Sequence, residues 1–83
     1  MKYIREDENI EFKESLGQLN RGLESLVAMI NKHDHGTVLF GVCDNGEITG
    51  VSIGNKTLKD ISEAIATRIK PTIIPTISEE KYD

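Results

Sequence analysis

Apolar residues recur along this chain with two periods, and each period marks a different kind of element. Thr37 to Cys43 is a β-branched and apolar run, too short for a helix and punctuated by glycine, so it reads as a strand buried on both faces. Asn45-Gly46 follows, two residues that tolerate positive φ and so suit a type I′ turn. Glu47 to Val51 then returns antiparallel, with Ile48 alternating against polar neighbours. Upstream, Ile10 and Phe12 alternate with Glu11 and Lys13, which predicts a strand over Asn9–Lys13. Leu19, Leu23, Leu26, Val27 and Ile30 fall at helical spacing instead, predicting a helix over Arg21–Lys32 with Asn20 as N-cap and Gly22 weakening its first turn. A second stripe, Leu58, Ile61, Ile65 and Ile69, predicts a helix over Leu58–Ile69, opened by Thr57-Leu58-Lys59-Asp60 in the manner of a capping box and stopped by Pro71. Ile73, Ile74 and Ile77 suggest a last strand, which Pro75 confines to a sheet edge.

The expected order is β-α-β-β-α-β, an α+β fold with a mainly antiparallel sheet and two helices on one face. Leu23, Leu26, Val27, Ile30, Leu39, Ile61 and Ile65 are the expected core. Eighty-three residues fit one small domain spanning 1–83. The charged ending, with no partner for the last strand, suggests the N-terminal part of a longer protein. An uncovered apolar edge also predicts a homo-oligomer formed through it.

Charge and cysteine content narrow the function classes. Ten Lys and Arg against fourteen Asp and Glu give a net charge of −4, which argues against broad electrostatic capture of nucleic acid by this segment alone. No run reaches membrane-spanning length and no apolar leader is present, so no membrane partner is expected. Cys43 has no second cysteine to pair with and reads as a small buried hydrophobe rather than a nucleophile. A reducing, cytoplasmic setting follows.

Three stretches carry candidate chemistry. Glu6, Asp7, Glu8, Glu11 and Glu14 crowd the N-terminus; a solvated edge accounts for them, but Glu6 and Glu11 could hold a divalent ion if the chain bends between them. His33-Asp34-His35 invites a zinc reading, yet no further Cys or His completes a tetrahedral set, and a polar helix-to-strand turn suffices. Gly50 to Thr57 misses the phosphate-loop pattern by one position, with Asn55 where the second glycine belongs; Gly50, Lys56 and Thr57 are the nucleotide-binding candidates of that reading. An ordinary capped loop is its plainer alternative.

Taken in order, Glu11-Phe12-Lys13-Glu14-Ser15, then Ala28-Met29-Ile30-Asn31, then Gly36 through Gly50, resemble the Schlafen AlbA-like domain, also called a divergent AAA-type DNA-binding domain. The family pattern is an E-F-K-E-S opening, a helix ending in Asn, and a G-T-L-L-I-G-V-x-D-x-G-x-I-x-G hairpin. The segment around Pro71 and Pro75 resembles the stretch after the family's second helix. His35 stands where the first glycine of a pair is usual. The resemblance implies a DNA-binding domain of a bacterial transcriptional regulator, with DNA favoured over RNA as partner and Lys13 and Lys56 as candidate nucleic-acid contacts. It implies as an alternative a metal-dependent nuclease, with Glu6, Glu11 and Asp44 as catalytic and metal-binding carboxylates holding Mg²⁺ or Mn²⁺. Outside that alternative no cofactor is expected, and Asp44 is explained by the turn it opens. An ATP-binding module is the second alternative.

Overall fold

A computed structural model describes residues 5, 7–69 and 75–80. The chain divides into two compact units, Met1–Val51 and Ser52–Asp83. The first holds strand β1 (Ile10–Lys13), a 3-10 turn (Leu16–Gln18), helix α1 (Leu19–His33) and strand β2 (Thr37–Phe40); the second holds helix α2 (Thr57–Arg68).

β1 and β2 pair in parallel, Ile10 opposite Thr37 through Lys13 opposite Phe40. This overturns the expected mainly antiparallel sheet. The cause is the connection: α1 has fifteen residues, about 22 Å of helix, enough to carry the chain back past a strand of four residues before β2 starts. A helical crossover of that kind joins parallel neighbours, whereas antiparallel neighbours are joined by short turns. Backbone bonds frame the ladder at both ends, Thr37 N donating to Asn9 O at 2.8 Å and Gly41 N to Lys13 O at 2.7 Å.

The strand expected over Thr37–Cys43 stops at Phe40, because Gly41 has a φ of +91°. The Gly41 carbonyl then accepts the amides of Thr49 (2.8 Å) and Gly50 (2.9 Å) and the Thr49 hydroxyl (3.2 Å). A Cβ on Gly41 would lie 2.8 Å from the Gly50 carbonyl carbon, so only glycine fits the place. The expected hairpin is thereby reduced to one antiparallel bridge, Val42 with Ile48. Its turn also differs from the type I′ expectation. Gly46 N donates to Cys43 O at 2.8 Å, so Asp44 and Asn45 are the central residues. Neither has positive φ; that conformation falls to Gly46 (φ 92°), the left-handed residue that follows the turn in a three-residue loop.

α1 begins two residues before the predicted Arg21, and Asn20 lies inside it rather than capping it. The entry is organised instead by Gln18, whose Oε1 accepts the amides of Glu14 (3.0 Å) and Ser15 (3.4 Å). The helix closes on Asp34 in the left-handed conformation (φ 68°), its amide donating to Ile30 O at 2.8 Å, with Lys32 and His33 favourably placed in the last turn. Asp34, not His35, thus takes the unusual backbone geometry of this corner.

Among the described residues of the first unit, Phe12, Leu23, Met29 and Val42 are the buried apolar ones. Leu26, Val27, Ile30 and Leu39, expected in the core, are half-buried. Gly22, expected to weaken the helix, lets α1 approach β2: a Cβ there would lie 2.8 Å from Phe40 Cζ and 3.2 Å from Val38 Cγ1. A Cβ on Gly36 would lie 2.6 Å from Met29 Cβ.

In the second unit α2 starts at Thr57, one residue earlier than expected, and the expected capping box does not form. Thr57 is the first helical residue, and its Oγ1 accepts the Gly54 amide at 2.8 Å. Ile65 and Ile69 are buried, Ile61 is half-buried, and Leu58 keeps 40% of its surface exposed. Residues 75–80 carry no strand. Ile73 and Ile74, on which the last strand and its free edge depend, lie outside the described residues. No helix among the described residues is long and apolar enough to cross a membrane.

Candidate functional site

The carboxyl ends of parallel strands leave a crevice where the chain departs toward its next elements, and ligands of open α/β sheets bind there. In the first unit that edge carries an open cleft of about 340 Å³ lined by Phe12, Lys13, Glu14, Ser15, Gln18 and Asp44. β1 supplies Phe12 and Lys13, the entry to α1 supplies Glu14, Ser15 and Gln18, and the loop after β2 supplies Asp44.

Each side chain has a local reason for its place. Phe12 is 2% exposed and anchors the wall. Gln18 spends its oxygen on the Glu14 and Ser15 amides, which leaves its amide nitrogen as a donor. The Cys43 thiol donates to Glu14 Oε1 at 3.3 Å and ties the loop after β2 to the start of the helical segment. That hydrogen bond pushes the thiol above its ordinary pKa; desolvation and the Glu14 and Glu47 charges push the same way, against a smaller opposing bond from Thr49. A thiol so held gives up its proton less readily, and Cys43 is half-buried and hydrogen-bonded rather than the buried hydrophobe expected. Asp44 is exposed in the turn.

Of the expected site residues, the cleft gathers Lys13 and Asp44. Glu11 does not line it; its carboxylate sits 4.0 Å from Lys13 Nζ, and both groups are partly exposed. Glu6 lies outside the described residues. With Glu6 outside them, the expected triad is not complete among the described residues, and among these no three His, Cys, Asp or Glu side chains group as metal ligands. The same holds for the His33–His35 corner, where His35 Nδ1 lies 2.9 Å from the His33 carbonyl and is engaged with the backbone. Of the nucleotide-binding candidates, Gly50 (φ 83°) belongs to the first unit, while Lys56 and Thr57 belong to the second, where the Thr57 hydroxyl oxygen holds the Gly54 amide.

Glu14, Ser15 and Gln18 were not singled out as site residues. Glu14 and Ser15 are in the E-F-K-E-S opening, which was a usable signal; Gln18 reaches the site only through the 3-10 turn, which no periodicity announces. Among the described residues the cleft is lined by two carboxylates and one ammonium, so a phosphate entering it meets a net negative charge from them unless a cation accompanies it.

The family model described as "Schlafen, AlbA_2" matches residues 6–83. The chain belongs to this family. The match runs over the parallel strand–helix–strand segment, the glycine-held turn and α2. No curated protein and no solved structure matches the chain.

Proposed function

We propose that this domain binds nucleic acid, DNA in preference to RNA, as the DNA-binding part of a cytoplasmic bacterial transcriptional regulator. The observation that carries the reading is membership of the Schlafen AlbA_2 family, a family associated with nucleic-acid binding, over residues 6–83. The cleft supports it in kind: Lys13, Ser15 and the Gln18 amide offer donors to a phosphodiester oxygen, at the edge of a parallel strand pair where ligands bind. The acid excess restrains it, so affinity is expected to be modest and to depend on few phosphate contacts.

The metal-dependent nuclease is the second reading, favoured by one observation, that Asp44 and Glu14 line the same cleft. A single assay separates the two. Labelled duplex DNA, single-stranded DNA and RNA are titrated with the protein across salt concentrations, with and without Mg²⁺ or Mn²⁺, and the products are run on a gel. Salt-dependent binding without cleavage supports the binding domain. Metal-dependent cleavage abolished by Asp44→Asn supports the nuclease. Absence of both overturns both.

A further inference from the structure

We propose that Asn45 is a site of spontaneous deamidation that its own turn holds shut. The chain has five asparagines, followed in turn by Ile10, Arg21, Lys32, Gly46 and Lys56, and Asn45 alone precedes a glycine. Deamidation of an asparagine proceeds by attack of the next residue's amide nitrogen on the side-chain carbonyl carbon. A glycine at that place puts no side chain in the way. Here the Gly46 nitrogen, having lost its proton, forms a bond to Asn45 Cγ. The Cγ–NH₂ bond breaks and the nitrogen leaves as ammonia, taking up a proton. Water then opens the cyclic imide at either carbonyl, giving an aspartyl or an isoaspartyl residue at position 45. No oxidation state changes, and water is the sole co-reactant.

Asn45 is exposed, so solvent reaches it. Both partners of the attack are nevertheless engaged in the folded turn. The Gly46 amide donates its hydrogen to Cys43 O at 2.8 Å, which opposes its deprotonation. The Asn45 Oδ1 accepts the Glu47 amide at 3.0 Å, so the side-chain carbonyl under attack is itself engaged in a hydrogen bond. Cys43 N donating to Glu47 O at 2.9 Å closes the loop from outside. The reaction therefore requires the turn to open, and its rate reports that local opening rather than surface exposure.

The product adds a carboxylate one residue from Asp44, at the rim of a cleft that already holds two. The isoaspartyl form also lengthens the backbone inside a turn whose hydrogen bonds need its present length. The consequence that binding weakens rests on the nucleic-acid reading above; the chemistry at position 45 does not.

The test is peptide mapping by mass spectrometry of the whole protein, held at mildly alkaline pH either folded or in urea. Amide exchange at Gly46 is followed in parallel as a measure of turn opening. Expected is conversion confined to the peptide containing Asn45, about tenfold or more slower in the folded protein, with a rate that tracks Gly46 exchange. Equal rates in the two states, faster conversion at another asparagine, or no conversion in urea would each overturn the proposal. Nucleic-acid binding by Asn45→Asp is measured separately. If the unaltered protein binds nothing, the functional reading fails while the two conversion rates still decide this one.

Discussion

In Met1–Val51 the backbone is held at three places where a Cβ would collide, Gly22, Gly36 and Gly41, each with a contact under 3.0 Å. In Ser52–Asp83 a Cβ on Gly54 would have an ordinary neighbour 3.7 Å away, and the described residues there hold the amphipathic helix α2, with Leu58 exposed at its start. The charge divides as unevenly. Nine of the fourteen carboxylates and five of the ten Lys and Arg lie in Met1–Val51, so that unit carries the whole excess of −4, and Ser52–Asp83 is balanced at five of each. The difference teaches that the unit with the closely fitted backbone and the cleft is the one least able to attract phosphate at long range. Short-range donors at defined positions have to do what net charge does in a basic domain.

The largest expected effect is at Gly41. Gly41→Ala meets a left-handed φ and a backbone atom at 2.8 Å, and the Gly50 segment has no side chain to yield, so we expect about 3 kcal/mol of destabilisation in urea unfolding. A loss below about 1 kcal/mol would break the contrast between the units.

Next comes Gly36→Ala, expected to cost about 2 kcal/mol. The colliding atom is Met29 Cβ, which alanine retains, so Met29→Ala should not relieve it. Gly22→Ala collides with the tip of the Phe40 ring, a part that can move, and it also gains helix propensity. A net cost of about 1 kcal/mol or less is expected there, relieved by Phe40→Leu. Double-mutant cycles read both pairs, and the reverse pattern of relief would contradict the packing described.

A smaller effect concerns pH. The Cys43 thiol is raised above its ordinary value of 9.0, chiefly by its bond to Glu14, so its folded form retains the proton longer than the unfolded chain does. Its contribution to stability is complete below the unfolded value and is lost as pH climbs from there through the folded value. Alkylation of Cys43 in the folded protein should therefore be slow at pH 8 and faster in Glu14→Ala. The smallest effect is expected in the second unit, where Leu58→Ser should change stability by no more than about 0.5 kcal/mol, since its side chain is already 40% exposed.

Much of the first unit was legible in sequence. The alternation of Ile10 and Phe12 located β1, and the Leu19–Ile30 stripe located α1 to within two residues. Strand direction is not legible in a short apolar run, which looks the same in either sense; it is set by the length of the intervening helix. In sequence Asn45-Gly46 looks like a self-sufficient turn between two full strands, whereas the positive φ of Gly41 ends the first strand before the turn is reached. Gly22 misleads in the same way, since local propensity says nothing about a partner surface pressing on a helix. Of the candidate site, Lys13 and Asp44 were found. Glu14, Ser15 and Gln18 join them only once the 3-10 turn folds the chain over the strand ends, a three-dimensional fact without a one-dimensional period.

The most direct test of the account compares the salt dependence of duplex DNA binding for the unaltered protein, Lys13→Ala and Asp44→Asn, by fluorescence anisotropy from about 50 to 200 mM salt. If the cleft receives a phosphodiester through the Lys13 ammonium, Lys13→Ala weakens binding and lowers the salt slope by about 1. Asp44→Asn, by removing a repelling charge, strengthens binding. Unchanged slopes and affinities in both variants, in a protein that binds DNA, would contradict the assignment of the cleft as the nucleic-acid site.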